Sequence, residues 1–227
     1  PQSNRGYILW ENETELDAYW TLQTQLSYIS DPTFMSVWRQ QEYKNHLEYE
    51  TSIYAKYQKE NGAFTVFASS DINQFISTSW LLASRQFKVD KTPELGLFRY
   101  GEKILNGTVT WSSQIQMMRE RMVFQSGTPN QLGLLPGAFG LPNGITPISA
   151  PLNAAGLQQD YQNRLVTRQE FSMPFQLGDV KIVPFTSIQA QWGIDNEDDG
   201  RLREENFWFR TIGVKATTQF SRIYNNV

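Results

Sequence analysis

The stretch LDAYWTLQTQLSY, Leu16 to Tyr28, decides the fold. Its even positions are Leu16, Ala18, Trp20, Leu22, Thr24, Leu26 and Tyr28, and its odd positions are Asp17, Tyr19, Thr21, Gln23, Gln25 and Ser27. A period of two is the spacing at which successive side chains leave opposite faces of a β-strand. One face is apolar and the other is polar but uncharged. The same pattern returns in His46 to Tyr57, in Thr108 to Met118, and in Thr211 to Ser221, where Ile212, Val214, Ala216, Thr218 and Phe220 oppose Thr211, Gly213, Lys215, Thr217, Gln219 and Ser221.

Weaker alternation over Ala63 to Phe75, Pro93 to Tyr100, Leu165 to Leu177 and Val180 to Ile194 brings the expected number of strands to eight or nine. Asn61-Gly62, Asn106-Gly107 and Gly178-Asp179 supply hairpin turns, because these residues tolerate positive φ. The connections then alternate in length: long over 30–45, 76–92, 120–164 and 195–205, short over 58–62, 101–107 and 178–179. An antiparallel up-and-down sheet with unlike rims produces that series, and transmembrane barrels have short turns on one side and long loops on the other.

Alternation is shared by β-sandwiches, so the second face has to decide the class. Sandwich strands average about 5–6 residues, whereas several here run to about 10, the length that crosses a bilayer when tilted. The polar face is rich in Gln, Ser and Thr. The apolar face carries Trp20, Tyr28, Tyr57, Trp111, Trp192 and Trp208 near segment ends, where the aromatic girdles of a membrane barrel lie. The reading is an all-β, antiparallel up-and-down transmembrane β-barrel segment. Gln23, Gln25, Gln114, Gln116, Lys215, Thr217 and Gln219 are expected to face the lumen, and Leu22, Leu26, Ile53, Trp111, Ile115, Val214 and Phe220 to face lipid.

Composition narrows the chemistry. The 227 residues include no Cys and one His, with 20 Lys+Arg against 23 Asp+Glu, so thiol catalysis and disulfides are excluded and no cofactor is implied. The absence of a basic cluster argues against a nucleic-acid partner, since neutralising phosphates requires concentrated positive charge. No apolar run is long enough for a transmembrane helix.

Three local features bear on chemistry. His46 has no second His and reads as a rim or lumen histidine. The acidic loop with Asp195, Glu197, Asp198, Asp199, Glu204 and Glu205 could attract Ca²⁺, but it lacks the ordered spacing of a calcium loop and reads as a solvated hairpin tip. Glu48 and Glu50 share a strand face, yet nothing assembles a sugar cleft around them. Catalysis is not expected. The segment Val123 to Gln159 has no charged residue but holds six of the 15 Gly and five of the 10 Pro. That composition excludes a helix or a central strand and leaves an irregular loop or a neutral flap over the barrel mouth.

Three stretches carry a family likeness: Leu26 to Phe75, Thr92 to Gln114, and the pair "NRLVTRQEFSMPFQLGDVKIVPFTSIQAQW" and "RTIGVKATTQFSRIY". In order along the chain they resemble the C-terminal barrel of the lipopolysaccharide-assembly family LptD, also called organic solvent tolerance protein. The resemblance implies the outer membrane of a Gram-negative bacterium and insertion of lipopolysaccharide into its outer leaflet. By the same resemblance the partners are lipopolysaccharide, an LptE-like lipoprotein plug, components of the periplasmic Lpt bridge and outer-membrane lipids. The chain lacks the family's jellyroll, its full strand number and its Cys residues, so it reads as a single internal slice of the barrel, residues 1–227. A porin or nutrient channel and a soluble β-sandwich carbohydrate-binding module are the rival readings.

Overall fold

The computed structural model describes residues 4–44, 49–70, 72–73, 75–84, 86–193 and 206–218. The strands are β1 (Tyr7–Glu15), β2 (Trp20–Ile29), β3 (Thr51–Lys59), β4 (Gly62–Ser70), β5 (Phe87–Ile104), β6 (Val109–Phe124), β7 (Gln162–Ser172), β8 (Phe175–Leu177), β9 (Val180–Gly193) and β10 (Phe207–Thr218). They form one antiparallel up-and-down sheet in the order β1-β2-β3-β4-β5-β6-β7-β9-β10, with the short β8 added on β9. The protein is all-β, and the sheet is open: β1 and β10 each pair on one side only.

The alternation of rims follows the expected series. Short turns join β1 to β2, β3 to β4, β5 to β6 and β8 to β9 at one end, and the long connections gather at the other. Gly178 takes φ +59 in the two-residue turn before Val180, and Asn106 and Gly107 take φ +56 and +83 between β5 and β6. The third turn differs. Lys59 pairs with Gly62, so the reversal falls on Glu60 and Asn61, with Glu60 at φ +51 and Gly62 already extended in β4.

Four stretches of sequence fold differently from their pattern. β1 is a strand although Tyr7-Ile8-Leu9-Trp10 is apolar on both faces and Glu11 to Glu15 polar on both; pairing with all of β2 overrides the missing alternation. β5 extends over 18 residues rather than eight, because two register shifts, between Lys91 and Glu94 and between Arg99 and Glu102, absorb the residues that break its period. The segment over 165–177 is interrupted at Met173-Pro174, where proline cannot donate to a ladder. The connection that holds the neutral segment runs over 125–161 and does contain helices. Pro129, Pro136 and Pro151 open α4 (Pro129–Leu132), a 3-10 turn (Pro136–Phe139) and α5 (Ala150–Ala154). In a first turn the missing N–H has no bond to lose. Thr128 and Gln131 close a capping box around α4.

The apolar core of this protein lies in the connections. One cluster joins Ile29, Phe34, Met35 and Tyr49, using α1 (Phe34–Trp38) and α2 (Gln40–Lys44), with Tyr7, Leu9, Tyr43 and Phe75 packed against it. The other joins Ile76 and Leu82, on and before α3 (Ser79–Ser84), to Leu141 and Ile148 of the 125–161 connection. Together they cap the long-loop end of the sheet.

Candidate functional site

Away from that cap, the sheet itself has two unlike faces, and the pairing register assigns every strand residue to one of them. On one face a row runs Leu22, Ala55, Val66, Leu95, Met117, Leu165, Trp192 across seven strands. The next row runs Trp20, Tyr57, Phe64, Leu97, Ile115, Thr167, Ala190, Trp208. On the opposite face a row runs Gln25, Ser52, Ser69, Lys91, Glu120, Gln162. The contrast is between side chains that water rejects and side chains that it solvates.

Among the described residues, no second layer covers the apolar face. Leu26, Ile53, Leu97 and Val214 are 42%, 48%, 54% and 66% exposed. An exposed apolar patch rimmed by polar residues marks a protein or membrane contact surface, and here it continues from strand to strand. Its aromatic borders are resolved. Trp20, Tyr57 and Trp111 lie toward the short-turn end, with the Trp20 and Tyr57 rings 5.2 Å apart. Trp10, Tyr28, Trp192 and Trp208 lie toward the long-loop end.

These borders are oblique to the register. Following the rows from Trp20 leads to Ile115 on β6, whereas the border residue there is Trp111, so the border slides four residues over four pairings. On the other border, the row of Trp208 reaches Trp20 on β2, while Trp10 pairs with Leu26. That is a slide of six residues over eight pairings. With about 3.3 Å along the strand per residue and about 4.8 Å between strands, the first border's slide of one residue per pairing corresponds to a tilt of about 35°, the lower end for closed barrels, and the second's smaller slide to about 27°.

The polar face carries a hydrogen-bonded ladder. Gln114 Nε2 donates to Gln116 Oε1 at 2.6 Å, Gln116 Nε2 donates to Glu94 Oε1 at 3.0 Å, and Lys91 Nζ holds the other oxygen of Glu94 at 2.5 Å. Gln23 Nε2 donates to Glu13 at 2.8 Å, and Arg164 pairs with Glu120 at 2.7 Å. Near β1 this face hollows into a groove of about 700 Å³ lined by Glu11, Glu13, Gln23, Gln25, Tyr54 and Lys91 among others. Neutral amides backed by paired charges can hydrogen-bond a polar solute without fixing a single ion.

The sequence-derived residues fall into two groups. Gln23, Gln25, Gln114, Gln116, Lys215 and Thr217 share the polar face, and Leu22, Leu26, Ile53, Trp111, Ile115 and Val214 share the apolar one. Leu22 and Trp111 are the half-buried members of the latter group, and Trp111 Nε1 donates to Gln169 at 3.0 Å. Gln219, Phe220, His46, Glu48 and the acidic loop over 195–205 lie outside the described residues. Reading the polar face only for neutral amides missed Glu94, Lys91, Glu120 and Arg164. Glu94 and Arg164 both pair with Met118, two residues beyond Gln116 on the same face, and Lys91 pairs with Glu120, two residues further on; that shared parity was the available signal.

At the capped end, Arg5 ties the start of β1 to the first long connection. Its Nε and Nη2 donate to the two Asp31 oxygens at 2.8 and 2.7 Å. Burial alone would raise the Asp31 pKa, but bonds from Arg5, Thr33 and Ser30 outweigh it and hold the carboxyl at about 2. Compared with family models and with curated proteins, the chain has no match.

Proposed function

We propose that this chain is part of the wall of a transmembrane β-barrel in the outer membrane of a Gram-negative bacterium, working in the assembly of lipopolysaccharide into the outer leaflet. The observation that carries the reading is the uncovered apolar face, bounded by two oblique aromatic borders and backed by a polar hydrogen-bonded face. In a membrane the first faces acyl chains. The second lines an aqueous path wide enough for sugar and phosphate groups, provided that further strands complete the wall between β10 and β1. A soluble sandwich would have to cover the apolar rows with a second sheet. The ordered likeness to LptD supports lipid export over a passive pore.

Two measurements test the two levels of this reading. Five of the seven Trp, at positions 10, 20, 111, 192 and 208, lie on the apolar face. In vesicles whose acyl chains carry a spin label, most of the tryptophan fluorescence is expected to be quenched; quenching no stronger than for a water-soluble protein would end the membrane assignment. Surface delivery of lipopolysaccharide in cells depleted of their own exporter, set against conductance in planar bilayers, separates exporter from pore. Conductance without delivery would leave the porin.

A further inference from the structure

On the apolar face of β6, the residues after Ile115 and Met117 at the same spacing are Arg119 and Arg121. Leu95 and Leu165 flank Met117 in register, and Asn163 stands opposite Arg119, so polarity begins one step toward the long loops. Tyr161, just before β7, gathers the two cations: Arg119 Cζ lies 4.8 Å and Arg121 Cζ 4.9 Å from its ring centroid. Arg121 directs Nε and Nη2 at one oxygen of Asp90, at 3.1 and 2.9 Å. Arg119 is exposed and has no ion-pair partner among the described residues. Two guanidiniums on one ring, only one of them neutralised, leave an open anion-binding surface.

We propose that Arg119, Arg121 and Tyr161 bind the phosphate of a lipid headgroup whose acyl chains run down over Ile115, Met117 and Leu165. The site rests on the membrane reading above and adds to it a ligand class and a position. Same-face residues are about 7 Å apart along a strand, so in a tilted strand the guanidinium of Arg119 stands about 5 Å above the last apolar row. That is the level at which headgroup phosphates begin. The planar donors of Arg suit phosphate oxygens, and the apolar row directly beneath them selects a lipid over the free anion.

The test refolds the 227-residue chain into phosphatidylcholine vesicles containing a small fraction of either diphosphoryl lipid A or its dephosphorylated form. Flotation reads insertion, and native mass spectrometry of the extracted chain reads retained lipid. The phosphorylated lipid is expected to be retained about tenfold better, the order of one hydrogen bond to a charged group. Arg119→Gln should remove most of that preference while floating normally, and Arg119→Lys should keep part of it. Equal retention of the two lipids, or an unchanged preference in Arg119→Gln, overturns the site with the membrane reading intact. Displacement of the lipid by modest inorganic phosphate makes this a free-anion site and overturns the lipid assignment. A chain that floats neither alone nor within the completed barrel that the reading requires overturns the membrane reading itself, before any lipid is counted.

Discussion

The sheet and its cap treat the same kinds of side chain in opposite ways. In the cap, Ile148 is 1% exposed and sits among Ile76, Leu82 and Leu141. On the sheet, Ile115 is 39% exposed and its row-mates Leu97 and Trp208 more so. A water-soluble protein keeps contiguous apolar patches on its surface small, because apolar area is removed from water where the chain can do it. On the membrane reading proposed above, the coexistence of both treatments in one chain makes water the reference solvent at the long-loop end and hydrocarbon that of the sheet's apolar face.

The largest effect should come from the cap. Ile148→Ala removes buried methylenes from a small cluster and is expected to cost about 2–5 kcal/mol of local stability. Hydrogen exchange of the 125–161 amides would show it, with β6 and β7 protected as before and no dependence on the surrounding lipid. Loss of protection throughout the sheet would mean that cap and sheet form one core, and the comparison would fail.

The second effect belongs to the other region. Ile115→Arg should cost about 2–4 kcal/mol of folding stability in a bilayer if its row lies near the midplane, and Gln116→Arg, one residue along on the polar face, about 1 or less. Refolding titrations in vesicles measure both. Equal losses would erase the distinction between the faces. A third change probes packing on the polar face. A Cβ built on Gly96 would stand 2.5 Å from both Thr65 Oγ1 and the Phe98 ring. Gly96→Ala should therefore cost about 1–3 kcal/mol through overpacking. A neutral result would show this part of the polar face to be looser than its hydrogen bonds suggest.

Why the sequence reveals the sheet better than its limits follows from the same contrast. In β2, β3 and β6 the two environments differ so sharply that the period of two runs from Trp20 to Tyr28 and from Val109 to Met117 with only Thr24 and Ser113 out of phase. Where the environments converge, it fades. At the capped end both faces of a strand meet protein, so Lys88 and Asp90 are buried in β5, and the alternation that marks Leu95 and Leu97 is lost. The same holds for Tyr7 to Trp10, which the first connection covers on one side. Helices of four or five residues in the 125–161 connection have no room for a 3.6-residue period, and only their prolines and caps announce them. Charged partners on the polar face, such as Glu120 and Arg164, were hidden for another reason: an ion pair across strands is a fact of register, which no single segment contains.

The smallest effect is a test of how firmly the cap holds the open edge of the sheet. Arg5 and Asp31 are joined by two hydrogen bonds, Thr33 Oγ1 also accepts from Arg5 at 2.8 Å, and Gly6 and Ser30 exchange bonds at 3.0 and 2.9 Å. A carboxyl whose pKa is lowered on folding to about 2 stabilises the folded form above its ordinary value near 3.8, and that contribution disappears as pH falls from about 4 through about 2. Because the pair is partly open to water, solvent screens it and its contribution is small. Amide exchange at Tyr7 to Trp10 should accelerate across that window while the amides of β6 stay protected. In Asp31→Asn the acceleration should be present already at neutral pH and should not grow on acidification. In Arg5→Gln it should begin at a higher pH, since the carboxyl then keeps the burial that raises its pKa and loses the partner that lowered it. Edge amides that exchange at one rate from pH 5 to pH 2 would show that β1 is held by its ladder to β2 alone, and the cap would then cover the sheet without fastening it.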